Sequence, residues 1–427
     1  MREEIKKRIE AVRSGKMPEG YKKVHPYTIP ESWKVEKLGV ITKRTSRPNK
    51  DGQDRQAYSI NNRKGFVPQS EQFEEGSYQD LDKSAYKIVR KGEFAYNPAR
   101  VNVGSIGRLR DEDEVIVSSL YVCVSVDERV DGEYFDAWTK SRDFFKETVR
   151  NTEGSVREYL FYENFANMRM PLPSLTEQQK IAEILAACDR MIELKQQLLE
   201  EKRRQKKWLM QKLLDPNSGV RLPGYTALWK LCTLGNIMNI TSVKRIHQSD
   251  WTDNGVRFLR ARDIVAAFND EEPEDYLFIS KDKYDEYSAI SGKVSVGDLL
   301  VTGVGSIGVP YLVKDNNPLY FKDGNVIWFQ NQGKIDGDYF FYAFSGSAIQ
   351  NYIRDSAGIG TVGTYTIESG KKTPIWIPSE EEQKAIANVI NNADQEVMLS
   401  KKELEAWQKK KKSLMQLLLT GLVRMNA

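Results

Sequence analysis

The sequence of 427 residues contains only two histidines and three cysteines, and this scarcity excludes several kinds of site. Cys123, Cys188 and Cys232 are isolated and odd in number, which argues against a disulfide framework and against a CxxC zinc motif. His25 and His247 are too few for a histidine-based metal centre or a Ser-His-Asp triad. We therefore expect this chain to bind no metal ion.

Long apolar runs are also missing. No stretch of about 18 apolar residues occurs, and residues 1–13 carry charges of both signs where a signal peptide has an apolar centre. We expect a soluble, cytoplasmic protein. The 64 Lys and Arg residues against 60 Asp and Glu residues give a net charge of +4, which does not by itself identify a partner.

Two short motifs resemble cofactor sites but lack residues that such sites need. Gly303, Gly305 and Gly308 have the spacing of a dinucleotide-binding loop, yet Pro310 and a strand-like run follow where a helix must begin. Residues 97–99, Asn-Pro-Ala, resemble the Asn-Pro-Pro-aromatic loop of amino-methyltransferases without its second proline and aromatic residue. A phosphate-binding loop of the form GxxxxGKS or GxxxxGKT is absent. The sequence therefore predicts no catalytic residues.

The most informative feature is an internal repeat at an offset of 205 residues. Residues 173–214 and 378–419 align without a gap over 42 positions, of which 17 are identical. Each copy begins with Pro-Ser and acidic residues and continues without Gly or Pro, which is typical of the start of a long helix. The two stretches therefore predict two equivalent helices, each about 55 Å long at ~1.5 Å per residue.

Apolar residues recur in both helices at alternating steps of four and three, the spacing of a coiled-coil seam. The seam residues are Ile181, Leu185, Ile192, Leu199, Leu209 and Leu213 in the first helix and Ile386, Ile390, Val397, Leu404, Leu414 and Leu418 in the second. One such stretch would also fit an amphipathic helix on a globular core. Two copies in the same register favour packing on each other, and a two-fold relation predicts that this packing is antiparallel.

The antiparallel register makes a specific prediction for two seam lysines. Lys206 lies opposite Ala393, and Lys411 lies opposite Cys188. A long lysine stem can cross a small neighbour while its ammonium group reaches water. We therefore expect both ammonium groups to be solvated.

The segments before the helices repeat more weakly. They share a Trp-Lys start with a following Leu-Gly pair, a Gly-Ser-Ile-Gly (GSIG) turn and a Tyr-Phe pair. These landmarks are Trp33, Leu38, residues 104–107 and Tyr134 in the first half and Trp229, Leu234, residues 305–308 and Tyr339 in the second. Between them the halves differ almost completely, in short β-rich runs broken by Gly, Asn, Asp and Pro.

We predict an α+β protein in which two α/β domains are joined by two long antiparallel coiled-coil helices. The predicted segments are an N-terminal helical segment at 1–20, domains at 21–173 and 215–378, and helices at 174–214 and 379–427. Residues 14–21 resemble residues 218–225, which follow the first long helix. The organisation is therefore predicted to be pseudo-two-fold and circular, with the N-terminal helix beside the end of the second long helix.

Basic and amide-bearing residues cluster in the loops of both domains. Arg pairs with guanine and Asn with adenine through two hydrogen bonds, whereas Lys, Ser and Thr contact phosphates. Surface loops are polar in any protein, but the recurrence of such clusters in two equivalent domains favours a nucleic-acid interface. The candidates are Arg44, Arg47, Asn61, Asn62, Arg63, Lys64, Asn97, Arg100, Asn102 and Ser105 in the first domain and Lys244, Arg245, Arg260, Arg262, Ser306, Thr361, Thr364 and Tyr365 in the second.

The repeated motifs resemble those of the specificity subunits of type I restriction-modification systems. The resemblance is carried by a Pro-Ser-x-x-Glu-Gln-x-x-Ile-Ala helix start in both copies, by the Trp-Lys-x-x-x-Leu-Gly domain starts and by the GSIG turns. The matching helix residues are Pro173, Ser174, Glu177, Gln178, Ile181 and Ala182, and Pro378, Ser379, Glu382, Gln383, Ile386 and Ala387. The resemblance covers essentially the whole chain.

This resemblance implies a non-catalytic DNA-recognition subunit. In that family each variable domain is a target recognition domain that reads one half of a bipartite, asymmetric site in double-stranded DNA. The helices act as a spacer and dock two methylase subunits, which bind S-adenosylmethionine, while restriction or translocase subunits use ATP and Mg. No cofactor is then expected on this chain itself.

Two other functions are compatible with parts of the sequence. A stand-alone DNA methyltransferase or nuclease with its own recognition domains would need the catalytic motifs that are missing. A coiled-coil scaffold whose β-rich domains bind protein would show no affinity for duplex DNA.

Overall fold

The computed structural model describes residues 3–51, 53, 55–62, 64–72, 83–152, 159–321, 326–356 and 363–425. The chain packs as two compact units, one formed by Met1–Lys195 with Leu404–Ala427 and the other by Gln196–Glu403. Each unit combines one variable domain with segments of both long helices. The compact units therefore differ from the predicted segments, because each long helix is divided between them.

The first unit begins with a short helix and continues as small, mainly antiparallel sheets. Its strands are β1 (Tyr21–Val24), β2 (Tyr27–Pro30), β3 (Lys34–Lys37), β4 (Thr42–Thr45), β5 (Arg47–Pro48), β6 (Ala57–Asn61), β7 (Gly65–Pro68), β8 (Lys87–Arg90), β9 (Phe94–Tyr96), β10 (Ile106–Arg108), β11 (Glu114–Val117), β12 (Val122–Val126) and β13 (Arg169–Leu172). Its helices are α1 (Glu3–Arg13), α2 (Leu38–Ile41), α3 (Gln69–Gln72), α4 (Gly132–Thr139), α5 (Arg142–Asn151), α6 (Tyr162–Asn167) and the first part of α7 (Leu175–Leu213). The larger sheets have the orders β10-β9-β12-β4 and β5-β8-β11-β6-β7.

The second unit has the same kind of organisation with different strands. Its strands are β14 (Lys230–Thr233), β15 (Asn239–Thr241), β16 (Trp251–Thr252), β17 (Val256–Leu259), β18 (Leu277–Ile279), β19 (Leu299–Thr302), β20 (Pro310–Leu312), β21 (Leu319–Phe321), β22 (Val326–Gln330) and β23 (Pro374–Ile377). Its helices are α8 (Leu234–Ile237), α9 (Ala261–Phe268), α10 (Lys281–Ser291), α11 (Gly337–Ser345), α12 (Ser347–Ser356), α13 (Ile367–Lys372) and the first part of α14 (Glu380–Leu419). The larger sheets have the orders β15-β22-β19-β20 and β16-β18-β17-β21.

In both units the strand that directly follows the repeated tryptophan pairs antiparallel with the strand that closes the domain. Strand β3 pairs with β13, so that Lys34 lies opposite Leu172, and β14 pairs with β23, so that Lys230 lies opposite Ile377. The chain therefore leaves each domain next to the point where it entered. The following long helix starts from that point.

The repeated Tyr-Phe pair lies in the core of each unit. The buried hydroxyl of Tyr134 donates to the carbonyl of Pro171 at 3.0 Å, and that of Tyr339 donates to the carbonyl of Trp376 at 2.8 Å. Burial raises the pKa of both hydroxyls. Each of these buried aromatic side chains also contributes about 1.5–3 kcal/mol through burial of its apolar surface. The tyrosine hydroxyls therefore connect α4 and α11 to the closing strands of their own domains.

Within the second unit the segments of α7 and α14 run antiparallel. Lys202 on α7 forms an ion pair with Glu396 on α14 at 2.7 Å, and Lys206, one turn later, pairs with Asp394. A later residue of α7 therefore meets an earlier residue of α14. Leu213, at the end of α7, belongs to one buried cluster with residues 386 and 390 near the start of α14.

The first unit contains the equivalent contacts. Lys411 on α14 pairs with Asp189 on α7, and Ile181 and Leu418 belong to one buried cluster. Of the seam residues, those that are buried are Ile181, Leu185, Leu199, Leu213, Ile386, Ile390, Leu404 and Leu418, and those that are half-buried are Ile192, Leu209, Val397 and Leu414.

The seam lysines form ion pairs that we did not predict, and their side chains are still 27 % and 24 % exposed. Lys206 binds Asp394, which follows the small residue Ala393 that we expected opposite it. Lys411 binds Asp189 in the same way, next to Cys188. A carboxylate within reach of the ammonium group replaces part of its water shell, so the lysine stays at the seam.

A buried glutamate at the start of α7 connects three parts of the first unit. Glu177 accepts a hydrogen bond from Trp33 Nε1 at 2.9 Å and a second from Arg424 Nε at 2.8 Å. Its side chain is only 5 % exposed. Trp33 opens the domain and Arg424 follows the end of α14, so one carboxylate joins the domain start to both long helices.

The second unit repeats this arrangement with the equivalent residues. Glu382 accepts from Trp229 Nε1 at 3.1 Å and from Arg221 Nε at 2.7 Å, and its side chain is 1 % exposed. Arg221 follows the end of α7, as Arg424 follows the end of α14. We call each set of three residues a Trp–Glu–Arg cluster.

The glutamine after each glutamate also has a structural role. Gln178 accepts from the backbone N–H of Asp131 at 2.9 Å, and Gln383 accepts from that of Asp336 at 2.8 Å. Asp131 and Asp336 are the N-cap residues of α4 and α11. The Glu-Gln motif therefore holds each long helix to its own domain.

The N-terminal segment is linked to the chain beyond α14. The hydroxyl of Tyr21 donates to the carbonyl of Gly421 at 2.5 Å, and the guanidinium of Arg8 on α1 lies 5.9 Å from the centre of the Tyr21 ring. These contacts bring the start of the chain next to residues that follow the second long helix, within the first unit.

Replacing Arg424 by methionine should destabilise the first unit by on the order of 3 kcal/mol, because Glu177 would remain buried without its cation. The matched control is Arg203→Met, whose ion pair with Glu200 is exposed and should change stability by less than about 0.5 kcal/mol. Urea unfolding measured by circular dichroism compares the two variants. Equal stability of both would show that the buried carboxylate does not need Arg424.

Candidate nucleic-acid interface

The first GSIG turn packs against the tip of the β6–β7 hairpin. Ser105 Oγ donates to the carbonyl of Ile60 at 2.8 Å. Gly104 has a φ of +94°, and a Cβ there would lie 3.5 Å from the carbonyl oxygen of Asn62. A Cβ on Gly107 would lie 3.2 Å from the hairpin backbone. The two glycines therefore allow the turn to approach the hairpin closely.

This approach forms a cleft of about 420 Å³, which we call the first-domain cleft. The predicted residues that line it are Asn61, Asn62, Lys64 and Asn102. Within the described residues, the amides of Asn62 and Asn102 form no hydrogen bond and the ammonium group of Lys64 forms no ion pair. These groups are available to a ligand.

Basic side chains held by two acidic residues form the floor of the cleft. Arg110 and Lys140 donate to Asp136 Oδ2 at 2.8 and 2.6 Å, and Arg110 also pairs with Glu133, as does Arg108. Burial alone would raise the pKa of Asp136, but Lys140 and Arg110 hold it below its ordinary value. Four cationic side chains line the cleft and outnumber the carboxylates of Asp136 and Glu133 that pair with them, so its charge favours an anion such as a DNA phosphate.

The other predicted residues of the first domain that the structure describes do not line this cleft. Arg47 forms a two-point ion pair with Glu93 at 2.8 and 2.7 Å, which raises the pKa of Arg47. Arg44 lies 5.7 Å from the centre of the Tyr162 ring. Asn97 accepts from a backbone N–H in its own loop, and Arg100 is exposed.

The predicted residues of the second domain lie on separate segments. Lys244 is exposed, with Nζ 4.0 Å from the centre of the Tyr287 ring, and Arg245 beside it is also exposed. Arg262 pairs with Asp275. Ser306 in the second GSIG turn and Thr364 before α13 are exposed. Arg63 and Thr361 lie outside the described residues.

Among the described residues no helix is both long enough and apolar enough to span a membrane. The same residues contain no group of three or more His, Cys, Asp or Glu side chains placed to hold a metal ion.

Comparison with known proteins identifies relatives over 95 % of the chain. Residues 30–202 match the Type I restriction modification DNA specificity domain. The Type I restriction enzyme MjaVIII specificity subunit of Methanocaldococcus jannaschii is 25 % identical over 435 residues, covering 95 % of this chain and 96 % of that protein. The Putative type I restriction enzyme MjaX specificity subunit of the same organism is 24 % identical over 447 residues, covering 95 % and 97 %.

Solved structures show the same fold at low sequence identity. A chain from a structure described as the "complex assembly and conformational transition of the type I R-M system" has a TM-score of 0.60 at 15 % identity and covers 93 % of this chain and 100 % of that one. The type I S subunit from M. genitalium has a TM-score of 0.55 at 14 % identity, covering 93 % and 97 %.

Residues 30–202 therefore match a type I DNA specificity domain, and the relatives that cover 95 % of the chain support a type I specificity subunit. Specificity subunits are the non-catalytic components of type I restriction systems, so the missing catalytic motifs are accounted for. The family match includes the first Trp–Glu–Arg cluster residues Trp33 and Glu177, and the internal repeat extends the same motifs to the second half.

Three predicted interface residues of this specificity subunit are structural instead. Tyr365 is 1 % exposed, and its hydroxyl bonds Thr373 Oγ1 at 2.5 Å, while burial raises its pKa. Arg260 is buried in an ion pair with Asp263 at 2.8 Å. Ser105 is buried with its hydroxyl on the hairpin backbone. We assigned them to the surface because polarity in a sequence does not reveal burial.

Sequence reasoning also missed residues that line the first-domain cleft. Arg108 and Arg110 follow the GSIG turn directly, so their position beside the motif could have indicated them. Lys140 is distant in sequence and only the fold brings it there. Val103 and Phe145 also line the cleft, but they are apolar, and we had considered only polar side chains as candidates.

Replacing Arg260 by methionine in this specificity subunit should lower stability by on the order of 3 kcal/mol, because the buried Asp263 would lose its cation. The exposed Arg245→Met is the matched control and should cost less than about 0.5 kcal/mol. Thermal unfolding of the two variants measures the difference. If the Arg260→Met variant were as stable as the control, Arg260 would not have this structural role and would again be a candidate for DNA contact.

Proposed function

We propose that this specificity subunit reads a bipartite, asymmetric site in double-stranded DNA, with residues 21–173 and 215–378 as its target recognition domains. The observation that best supports this proposal is that both units have the same buried contacts between domain and helices but different surfaces. The Trp–Glu–Arg clusters and the closing strand pairs are equivalent. The loops between them differ in length and in sequence. Two domains that are attached to the helices in the same way but have different surfaces are suited to bind two different DNA half-sites.

Different side chains of the first-domain cleft are suited to contact different parts of the DNA. Asn62 and Asn102 offer free amides, which pair with adenine through N6 and N7 in the major groove. Lys64 and the basic floor suit phosphate oxygens, which position the protein without reading sequence. The second domain would use the exposed Lys244 and Arg245.

We infer that the organisation is pseudo-two-fold and circular, with the long helices as a coiled-coil spacer. The equivalence of Glu177 with Glu382, each bound to an arginine that follows the opposite helix, supports this. The bond from Tyr21 to Gly421 supports it further, because it joins the beginning of the chain to its last turn.

The long helices carry apolar residues that the fold does not use. Leu194 on α7 and Leu399 on α14 occupy equivalent positions of the repeat, and both are exposed. We propose that these helix surfaces dock two methylase subunits, which bring S-adenosylmethionine. Restriction or translocase subunits with ATP and Mg would complete the complex, and the site of action would be the cytoplasm.

Replacing Lys64 by alanine should weaken binding of duplex DNA about fivefold at 0.15 M salt and reduce the slope of log affinity against log salt by about 1, the loss of one phosphate contact. The control is Lys91→Ala, an exposed lysine of the same domain outside the cleft. Binding isotherms at several salt concentrations measure both. An equal loss in the two variants would contradict a phosphate contact at Lys64.

The experiment that tests the proposed function is a domain exchange. Residues 21–173 are replaced by the corresponding domain of a relative, and the genome of a cell that expresses the subunit with its methylase is sequenced for methylated bases. One half of the methylated site should change while the other half is retained. A change in both halves would reject independent reading by the two domains, and methyl transfer by the purified chain alone would favour a stand-alone enzyme.

A further inference from the structure

The first-domain cleft contains an apolar surface that the fold does not require. Val103 and Phe145 line the cleft and are 60 % and 51 % exposed, although both are large apolar side chains. They lie among the free amides of Asn62 and Asn102. An exposed apolar pair at a rigid polar site is typical of a binding surface.

Hydrogen bonds fix the backbone conformation at Val103, whose side chain is exposed. Val103 N–H donates to the carbonyl of Arg100 at 3.1 Å, and the next N–H, of Gly104, donates to the carbonyl of Val101 at 3.0 Å. Ser105 then fixes the turn to the hairpin through its hydroxyl. Because this backbone is fixed and a valine side chain has restricted χ1 freedom, a ligand contact at Val103 loses little conformational entropy.

The equivalent positions in the second domain have different chemistry. Helices α5 and α12 correspond at the offset of 205, and the residue equivalent to Phe145 is Gln350. The Gln350 amide donates to the carbonyl of Gly308 at 2.9 Å and so covers the second GSIG turn. When the two GSIG turns are aligned with each other, residue 303 is equivalent to Asn102 and is glycine. Asn102 and Phe145 therefore have no counterpart in the second domain, whereas Val103 corresponds to Val304, which is half-buried there.

Thymine is the base that such a surface fits. In the major groove thymine presents a 5-methyl group, and its partner adenine presents N6 and N7 to an asparagine amide. The surrounding cations, Lys64 and the basic floor, match the charge of a DNA backbone rather than that of a neutral protein surface.

We propose that Val103 is a specificity-determining residue of the first domain, with Phe145 beside it, and that it contacts the 5-methyl group of a thymine next to an adenine read by Asn102. This inference rests on the proposed function and deepens it by naming the base class. Removing one buried methyl group weakens binding about fourfold.

The test uses the specificity subunit assembled with its methylase, after the methylated site has been identified. Duplexes are prepared in which each thymine of the first domain's half-site is replaced in turn by uracil, which lacks the methyl group. One replacement should weaken binding by the wild-type complex about fourfold, and Val103→Ala should weaken binding to the normal duplex by a similar factor. Val103→Ala should then be insensitive to that same replacement.

The control variant is Val149→Ala, a valine-to-alanine change on α5 outside the cleft lining at a residue that is 51 % exposed, and it should behave as the wild type. Unchanged thermal unfolding of Val103→Ala shows that the side chain is not needed for folding. The proposal is overturned if the half-site contains no thymine, or if Val103→Ala and the wild type respond alike to every replacement. This outcome can be distinguished from a failure of the proposed function. If the proposed function were wrong, the wild-type complex would bind or methylate no specific site.

Discussion

The fold of each unit depends on one buried carboxylate. Glu177 and Glu382 are almost completely removed from water, and a carboxylate in that position costs several kcal/mol unless cations and hydrogen-bond donors surround it. The partners come from distant parts of the chain, a tryptophan at the domain start and an arginine past the end of a long helix. The carboxylate is satisfied only when all three segments are in place, so the interaction selects one arrangement of them.

The long helices meet under a similar constraint. An apolar seam alone tolerates a shift by one heptad, because leucine and isoleucine can exchange places. The pairs Lys206–Asp394 and Lys411–Asp189 do not tolerate it, since a shift would remove each ammonium group from its carboxylate. Each pair is partly exposed and contributes little stability, and its larger effect is on register.

The repeat and the period of its apolar residues made the two long helices predictable, with limits of 174–214 and 379–427 for helices that run from Leu175 to Leu213 and from Glu380 to Leu419. Glu177 was found as a motif residue, but not its partner Arg424, because 247 residues separate them. The cleft residues 61, 62, 64 and 102 were found from their polar side chains. Tyr365 was misassigned because a tyrosine in a turn-rich stretch has the same sequence pattern whether it is buried or exposed.

The structure also indicates why the two domains could diverge between their shared landmarks. The GSIG turn of the first domain is held by backbone groups and by Ser105, while Asn62, Asn102 and Val103 project into the cleft without a partner that folding needs. In the second domain Thr302 accepts from the N–H of Val309 at 3.0 Å, and Gln350 covers the turn. Side chains that contribute little to folding can be replaced at a cost of less than about 0.5 kcal/mol. New binding chemistry can therefore arise at the cleft while the buried clusters keep each domain attached to its helices.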